Sequence, residues 1–313
     1  MFVKSSKIFR QNKVLGDNMK VVKDFNDYEI LDMASGQKLE RWNEVILSRP
    51  DPQIIWGIKT RPSLWDSADA KYKRSNKGGG EWYIYNKDMS SSWQIKWRDL
   101  TFNLKLMGFK HTGIFPEQAY NWNIIREKIN SETKKREVNV LNLFAYTGAA
   151  SVAALSAGAK VVHVDSSKGM VDWAKENVKS SGLDDKPIRY IVDDVVKFVE
   201  REIRRGNKYD VILMDPPSFG RGSNKEIWNI ETDLFKLVEL CKELLSDKPI
   251  MFLINSYTTG LSMNVLSNIL KLTIDKEHKG FISCDEIGLP MKDSNLLLPC
   301  GIFARWESEK YED

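Results

Sequence analysis

The sequence predicts an α/β protein in which a doubly wound sheet of seven mostly parallel strands follows a smaller β-rich domain. From about residue 118 onward, short apolar runs alternate with amphipathic helical segments, as in parallel sheets covered by helices on both faces. Before residue 110 the segments are shorter, are separated by Gly, Pro, Asn and Asp, and often alternate apolar with polar residues. We therefore expect a loose arm at 1–20, a β-rich domain at 21–110 and the doubly wound domain at 111–313.

Five segments of the β-rich part are candidate strands, and a glycine-rich loop interrupts them at 75–80. They are YEILDMASGQKLERW (28–42), IIWGIK (54–59), EWYIY (81–85), WQIKW (93–97) and LTFNLKLM (100–107). Residues 1–110 hold 20 Lys and Arg against 13 Asp and Glu, and six of the ten Trp. Such a composition suits binding phosphates and stacking bases. It also suits a core built from Trp beneath solvated Lys, and different faces can serve each purpose.

The second part reads as helices alternating with strands that are continuous apolar runs, as buried parallel strands are. The expected strands cover 138–144, 160–165, 188–192, 209–215, 249–256 and, late in the chain, 301–306. The expected helices cover 118–130, 149–159, 167–182, 194–206, 228–246 and 261–272. In doubly wound sheets ligands bind outside the carboxyl ends of the strands, so the residues that follow each strand are the candidate site.

Three of these strand ends suit a nucleoside ligand. The first strand runs into the turn NLFAYTG at 142–148 and an Ala-rich helix, where Gly148 allows close backbone approach. This turn is neither a dinucleotide fingerprint nor a Walker A loop. Asp165, 17 residues after Gly148, can accept hydrogen bonds from ribose hydroxyls or cap the next helix. Of Asp193 and Asp194, one can cap the following helix, which leaves the other for an adenine amino group.

The fourth strand ends in Asp215-Pro216-Pro217-Ser218-Phe219, the most specific signal in the chain. The two prolines lack N–H donors and stiffen the backbone, so carbonyls and the Asp215 carboxylate form a rigid row of acceptors. The ring of Phe219 offers a face for a planar base. Such a site can hold an amino group or ring nitrogen in line with an electrophile. Beside it, Arg221 and Lys225 either meet phosphates or belong to a solvated loop.

Together the four strand ends resemble the class I S-adenosylmethionine-dependent methyltransferases, with their Rossmann-like sheet, over roughly residues 111–306. The turn at 142–148 resembles the family's first motif, although Phe144 and Tyr146 stand where many members have glycines and Asn142 where they often have an acid. Residues 215–219 resemble the fourth motif. The segment HTGIFPEQ at 111–118 resembles one that precedes the fold in a subgroup including bacterial 23S rRNA methyltransferases, which act at cytosine C5 or guanine N7.

The resemblance implies S-adenosyl-L-methionine as cofactor and assigns residues to it. Asp165 matches the ribose-binding acid and Asp194, less closely Asp193, the acid at the adenine. The implied cofactor-binding residues are Phe115, Gln118, Asn142, Phe144, Ala145, Tyr146, Thr147, Gly148, Asp165, Ser166, Asp193, Asp194 and Asp215. The implied catalytic residues are Asp215, Pro216, Pro217 and Phe219, with Asn255, Ser256 and Tyr257 lining the same mouth.

The cysteines favour a nitrogen acceptor, so we expect direct methylation of a nitrogen in an RNA base, with rRNA as substrate. Methylating cytosine C5 requires a thiolate to add to C6 first, and related enzymes carry that Cys after the fifth strand. Here the position reads LINSYTT, and Cys241 falls on a helix where burial is expected. A methyltransferase for a small molecule or protein amide, and an RNA-binding module without catalysis, remain alternatives. A nicotinamide oxidoreductase is disfavoured by the missing glycine fingerprint.

Cysteine, histidine and hydropathy patterns exclude several other classes. Three widely spaced cysteines are neither a disulfide framework nor a zinc site, and with three histidines a metal site is not expected. No run of about 18 apolar residues occurs, and the first residues lack the apolar stretch of a signal peptide. We therefore expect a cytoplasmic protein without metal or membrane association. The oligomeric state stays open.

Overall fold

A computed structural model of the protein describes residues 19–75, 79–221 and 227–309. Residues 1–18 of the expected arm, and Lys225, lie outside the described residues, and the expectation for the Arg221 side chain is likewise outside them. No helix of the described chain is long and apolar enough to span a bilayer.

The first part is β-rich, as expected, and forms a five-stranded sheet and a separate hairpin. The sheet has the order β2-β3-β4-β5-β6, and β7 pairs with β8. The strands are β1 (Lys20–Val21), β2 (Tyr28–Ala34), β3 (Gln37–Trp42), β4 (Val45–Pro50), β5 (Ala70–Arg74), β6 (Gly80–Ile84), β7 (Ser92–Trp97) and β8 (Leu100–Lys105). A 3-10 helix spans Pro62–Ser67.

One expected strand is wrong, and three strands of this part, β1, β4 and β5, were not expected. Residues 54–59 form no strand: Ser35 and Gly36 in the β2–β3 turn donate to the carbonyls of Trp56 and Ile54, and the Trp56 indole donates to the Met33 carbonyl at 2.7 Å, but no ladder forms. The sequence pattern did not indicate strands β4 and β5, because basic and polar residues interrupt their apolar alternation.

The second part is the expected doubly wound α/β fold. Its helices are α1 (Ala119–Glu132), α2 (Ala149–Ser156), α3 (Lys168–Ser180), α4 (Val195–Arg205), α5 (Ile230–Lys242), α6 (Met263–Leu272) and α7 (Ile274–Glu277), with a 3-10 turn at Pro116–Gln118 before α1. Its strands are β9 (Asn139–Leu143), β10 (Lys160–Asp165), β11 (Ile188–Val192), β12 (Val211–Met214), β13 (Phe219–Arg221), β14 (Ile227–Asn229), β15 (Met251–Ser256), β16 (Gly280–Pro290) and β17 (Leu297–Ser308).

The main sheet has the order β1-β16-β17-β15-β12-β9-β10-β11. It contains the six strands located from the sequence, the long strand β16, which completes the expected seven, and an additional edge strand, the two-residue β1, which pairs in parallel with β16. Strands β9, β10, β11, β12 and β15 are parallel, whereas β17 runs antiparallel to both neighbours. The chain moves outward from β9 to β11 and then returns to β12 on the other side. The strand order therefore reverses at β9, where doubly wound sheets open a crevice.

Local signals fix most helix ends. Gly206 and Gly182 adopt positive φ at or just after the ends of α4 and α3, as helix-terminating glycines do. Several boundaries differ by one to four residues: α2 ends at Ser156 rather than 159, and α5 spans Ile230–Lys242 rather than 228–246. The Asn229 side chain caps the helix by accepting from the backbone N–H of Glu231 at 3.0 Å, and Trp228 belongs to β14.

The two parts share one hydrophobic core, and the β7–β8 hairpin connects them. Trp97 and Phe102 pack on Trp122 of α1, with ring centroids 5.3 and 5.5 Å apart. The backbone N–H of Asn103 donates to Asn177 of α3 at 2.8 Å. Aromatic residues of the first part thus contribute to the core, while the domain boundary at residue 110 stays a prediction.

A buried ion pair stabilises the five-stranded sheet. Glu40 accepts from the Arg49 guanidinium at 2.6 and 3.0 Å and from the Tyr28 hydroxyl at 2.6 Å, and Lys38 lies 3.2 Å away. Burial opposes the ionisation of Glu40, but Arg49 and Lys38 outweigh it and lower its pKa to about 2. Glu40 is therefore ionised in the folded sheet at neutral pH.

Replacing Glu40 by Gln should lower the free energy of unfolding by about 3–5 kcal/mol, because the buried Arg49 guanidinium loses its counter-charge. The pair's contribution is complete above the ordinary pKa of 4.5 and is lost as the pH falls towards 2. Urea unfolding of both proteins at several pH values measures this. Glu29→Gln is the control, because the partly exposed Glu29 should be worth no more than about 1 kcal/mol. Equal losses in the two variants would contradict the assignment.

Candidate active site

A cavity lies at the carboxyl ends of β9, β12 and β15. It brings together eight of the predicted site residues, namely Phe115, Gln118, Asn142, Phe144, Ala145, Tyr146, Thr147 and Asp215. The remaining predicted residues lie along the same sheet edge but do not line this cavity, namely Gly148, Asp165, Ser166, Asp193, Asp194, Pro216, Pro217 and Phe219. Asn255 lines it as well.

The turn after β9 is tightly wound. Phe144 and Tyr146 have φ of 52° and 51°, and Gly148 has φ of 82°. A Cβ atom at Gly148 would lie 2.8 Å from Cβ of Ala174 in α3. Glycine is thus required for the packing of the turn on α3. Its approach to a ligand stays a prediction.

Asp165 connects this turn to the next strand. One carboxylate oxygen accepts from the backbone N–H of Tyr146 and the other from that of Ser167, both at 2.8 Å. Burial raises the pKa of Asp165, and these two hydrogen bonds act against that rise. A carboxylate oxygen has two lone pairs, so each can accept a further bond. Binding of ribose by Asp165, with the exposed Ser166 beside it, stays a prediction.

The two acids after β11 both have protein partners. Asp194 caps α4 by accepting from the backbone N–H of Lys197 at 3.0 Å. Asp193 accepts from the N–H of Asp194 at 2.8 Å and forms an ion pair with Arg201. Asp193, the acid that does not cap the helix, is therefore not left without a protein partner as the sequence suggested. Adenine binding by Asp194 stays a prediction that rests on the family resemblance.

Asn142 supports the turn from below. Its amide donates to Ser151 Oγ at 2.9 Å, and that hydroxyl contacts His163 Nδ1 at 3.0 Å. Burial lowers the pKa of His163 to about 4, so the ring is neutral at pH 7. An amide suits this buried position because neither partner carries a positive charge that would balance an acid.

The Asp215-Pro216-Pro217 segment is clamped from the far side. Trp228 donates its indole N–H to the Pro217 carbonyl at 2.7 Å and packs on Phe144 with ring centroids 5.0 Å apart. Sequence reasoning missed Trp228 because it was assigned to the first turn of a helix. Phe219 is 56% exposed, so its ring is free to stack on a ligand.

Asp215 differs from the other strand-end acids. It accepts no hydrogen bond from any residue in the described ranges. Burial, and then the nearby Glu117, raise its pKa to about 7. Glu117 is itself buried, and burial raises its pKa too. The sequence analysis quoted the segment HTGIFPEQ at 111–118 for its resemblance but gave Glu117 no role in the site.

A polar network closes the back of the cavity. Gln118 donates to the Tyr257 hydroxyl at 2.8 Å, and Asn121 donates to Gln118 and Asn255 at 2.9 and 3.0 Å. Asn121 was missed, although its spacing of three residues from Gln118 at the start of a helix was a usable signal. Ser256 is buried and accepts from the N–H of Thr258 at 3.1 Å. Contrary to the expectation, it does not line the cavity.

The cavity is rich in acceptors and suits a ligand with a positive charge. The buried Oδ1 of Asn121 has no partner among the described residues, and the Asp215 carboxylate faces the same space. A cationic ligand would favour the ionised form of Asp215. Across the described ranges, no group of three or more His, Cys, Asp or Glu is placed to hold a metal ion.

Neither Cys241 nor Cys300 offers an activated thiol. Cys241 is buried in α5, as expected. Cys300 lies beside Glu117 and Tyr257, a proximity that its late position in the sequence did not reveal. Burial, and then Glu117, raise the pKa of the Cys300 thiol well above its ordinary value. The thiolate that a nucleophile requires is therefore disfavoured.

Known proteins resemble this chain in sequence and in structure. A family model described as S-adenosylmethionine-dependent methyltransferase matches residues 69–263, more than half of the chain. The crystal structure of the SAM-dependent methyltransferase from Agrobacterium tumefaciens is 32% identical, covers 93% of both chains and has a TM-score of 0.87. A putative methyltransferase complexed with SAH shares the fold, with 22% identity, a TM-score of 0.65, and 91% and 76% of the two chains covered.

Curated relatives match part of the chain. Ribosomal RNA large subunit methyltransferase K/L from Shewanella frigidimarina is 34% identical over 147 residues, which are 46% of this chain and 20% of the relative. The protein of that name from Shewanella sp. strain MR-4 is 30% identical over 194 residues, 61% of this chain and 25% of the relative. The aligned region thus spans a fifth to a quarter of the length of these relatives.

Replacing Gly148 by Ala should destabilise the protein by about 1–3 kcal/mol, because the new Cβ overlaps Ala174 and the positive φ is strained. Thermal unfolding measures the loss. Gly206→Ala is a matched control, since Gly206 has a φ of 70° and nothing within 4 Å of an added Cβ. It should suffer the conformational cost alone. Equal destabilisation of the two variants would show that the contact with Ala174 does not constrain the turn.

Proposed function

The chain belongs to the S-adenosylmethionine-dependent methyltransferase family, and we propose that it methylates a nitrogen of an RNA base, with ribosomal RNA as substrate. The observation that carries this proposal is the Asp215-Pro216-Pro217 segment at the end of β12. Asp215 faces the cavity at the first-motif turn without a hydrogen-bond partner among the described residues, and Phe219 is exposed beside it.

The residues of the cavity fit the cofactor S-adenosyl-L-methionine, which supplies a methyl group on a positively charged sulfur. The turn at 144–148 would hold its amino-acid end, with Asn121 Oδ1 as a free acceptor for an ammonium group. Asp165 and Asp194 would accept from the ribose and the adenine. In these roles the chain binds and orients, and a positive charge near Asp215 keeps that carboxylate ionised.

Asp215 and Pro216 would orient the acceptor. An ionised carboxylate and a neighbouring carbonyl can each accept a hydrogen bond from an N–H group of the acceptor. These hydrogen bonds direct the nitrogen lone pair towards the methyl group. Phe219 would stack on the base. Because a nitrogen lone pair attacks directly, positioning supplies the catalysis, up to roughly 7–11 kcal/mol in ideal cases. The high pKa of the Cys300 thiol supports this route over cytosine C5 chemistry.

An RNA substrate is supported by the names of the relatives and by charge. Relatives named ribosomal RNA large subunit methyltransferase K/L match the catalytic part. The first 110 residues carry 20 Lys and Arg against 13 Asp and Glu, which suits a polyanion. An rRNA substrate would place the reaction in the cytoplasm. If a small molecule or protein amide were the acceptor, RNA would take up no methyl group in the experiment that follows.

Transfer of labelled methyl groups from S-adenosyl-L-methionine to unmodified 23S rRNA fragments tests the function. Wild type should label RNA, and Asp215→Asn should lower turnover at least a hundredfold, because the neutral amide cannot stabilise the positive charge that develops on the acceptor nitrogen as the carboxylate does. Cofactor affinity by calorimetry should stay within a few-fold.

Cys300→Ala is the matched control for this experiment and should keep most activity. Loss of activity in a folded Cys300→Ala protein would point to a thiolate mechanism. Loss of cofactor binding without loss of turnover in Asp215→Asn would overturn the role of Asp215.

The rate should also depend on pH through Asp215. The carboxylate is the accepting form of Asp215, and its pKa is raised to about 7 in the free protein. The value of kcat/KM for S-adenosyl-L-methionine should therefore rise with pH up to about 7 and then level off. In kcat the same rise should lie at lower pH, because bound cofactor carries a positive charge. The profile of Asp215→Asn should lack this limb. A wild-type profile that is flat between pH 5 and 8 would contradict the assignment.

A further inference from the structure

A second cavity lies between the five-stranded sheet and the methyltransferase sheet. It has a volume of about 330 Å³, and Ile114 and Phe115 line both this cavity and the first one. Its walls come from both parts of the chain, with Lys38, Arg49, Lys110 and His111 on one side and Glu117, Tyr257 and Cys300 on the other. The size is within the range of ligand sites.

Lys110 is a cation without a counter-ion in this cavity. Lys38 and Arg49 are paired with Glu40, and Lys38 also lies 3.4 Å from Asp51. Lys110 forms no ion pair with any described residue, although it is half-buried. Burial, and then the nearby cations Lys38, Arg49 and Arg74, lower its pKa to about 8, with Asp51 acting in the opposite direction. An anion bound here would relieve this repulsion.

The position of Lys110 is fixed from below by the buried ion pair of the sheet. Arg49, while holding Glu40, donates its third hydrogen bond to the Lys110 carbonyl at 2.9 Å. The backbone at the start of the segment 110–118 is therefore tied to the five-stranded sheet, and the end of that segment is tied to β15 through Gln118 and Tyr257. The cavity lies between these two attachments.

Aromatic rings lead from the surface through this cavity to the methyl-transfer site. Phe109 is 48% exposed, and its ring contacts His111 at a centroid distance of 6.4 Å. His111 contacts Phe115 at 5.1 Å, and Phe115 contacts Tyr257 at 5.4 Å. Aromatic side chains arranged in this way stack on unpaired bases.

We propose that this second cavity receives the acceptor nucleotide, with Lys110 binding its phosphate and His111 and Phe115 flanking its base. This inference rests on the RNA substrate proposed above. A base in a helix would have to leave the stack to enter it. The nucleotide then reaches Asp215 from the side of Glu117, and the β-rich part of the chain forms one wall of the acceptor site.

The opposite face of the five-stranded sheet is a weaker candidate for RNA. Lys71 pairs with Ser48 across β4 and β5, next to Arg49 in the chain, and adjacent strand residues point to opposite faces. Cations on this outer face already lie over rings of the same face, such as Lys73 over Tyr83 at 4.1 Å and Lys59 over Trp65 at 4.7 Å. This face also points away from the cavity that Asp215 lines.

Binding of fluorescein-labelled, single-stranded 23S rRNA fragments to the full chain tests the proposal. Lys110→Ala should weaken binding roughly tenfold or more, since a charge-assisted hydrogen bond is lost. The slope of log affinity against log salt should fall by about 0.7, as for one phosphate contact on a single strand. Affinity for S-adenosyl-L-methionine should stay within twofold, and Lys110→Arg should keep RNA affinity. Lys71→Ala, on the outer face, is the matched control and should bind as wild type does.

Three outcomes would overturn the proposal, and they differ from one another. If wild type binds the fragments but Lys110→Ala binds equally well, the cavity is not the acceptor site. If Lys71→Ala alone weakens binding, RNA uses the outer face. If wild type neither binds nor methylates the fragments, the RNA substrate itself is wrong. Should Lys110→Ala unfold, ultraviolet cross-linking of wild type decides, since cross-links must fall on the peptide that holds His111 and Phe115.

Discussion

The reversal of strand order at β9 is the constraint on which the rest of the structure depends. Strands β10 and β11 follow on one side of β9, and β12 and β15 on the other, with helices packed on both faces around two separate hydrophobic cores. Because the connections diverge there, the carboxyl ends of β9 and β12 border a crevice that the crossing helices leave uncovered. The first-motif turn and Asp215 lie at this crevice for that reason, and every ligand-facing group is placed relative to it.

Most polar groups at the crevice first build the crevice itself. Asp165 holds the turn at Tyr146, Asp194 caps α4, and Asn142 supports the turn through Ser151. These hydrogen bonds offset the cost of burying polar groups. Asp215 is different, since no described residue donates to it and Glu117 disfavours its charge. Groups held at a free-energy cost tend to mark functional sites, and the contrast between Asp215 and the other acids separates chemistry from scaffolding.

The same contrast appears in the β-rich part. Arg49 and Lys38 are balanced by Glu40 and Asp51, and the buried Arg49–Glu40 pair organises the end of the sheet. Arg49 also holds the carbonyl of Lys110, whose own ammonium is left without an acid. The β-rich part therefore contributes more than a covering for the methyltransferase sheet. It supplies one wall of a space that shares the lining residues Ile114 and Phe115 with the cavity of Asp215.

The sequence alone determined the local features, whose causes lie within a few residues. Apolar runs set strands such as β10 and β11, Gly182 and Gly206 ended helices, and the prolines after Asp215 identified the fourth motif. Only the tertiary structure decided what depends on contacts distant in sequence. Trp228 clamps Pro217 because β13 and β14 pair, Cys300 reaches Glu117 because β17 returns beside β15, and residues 54–59 lack the partner strand that their pattern suggested. Periodicity reports which face of a segment is buried, whereas the identity of the group that buries it is set by the packing of the whole chain.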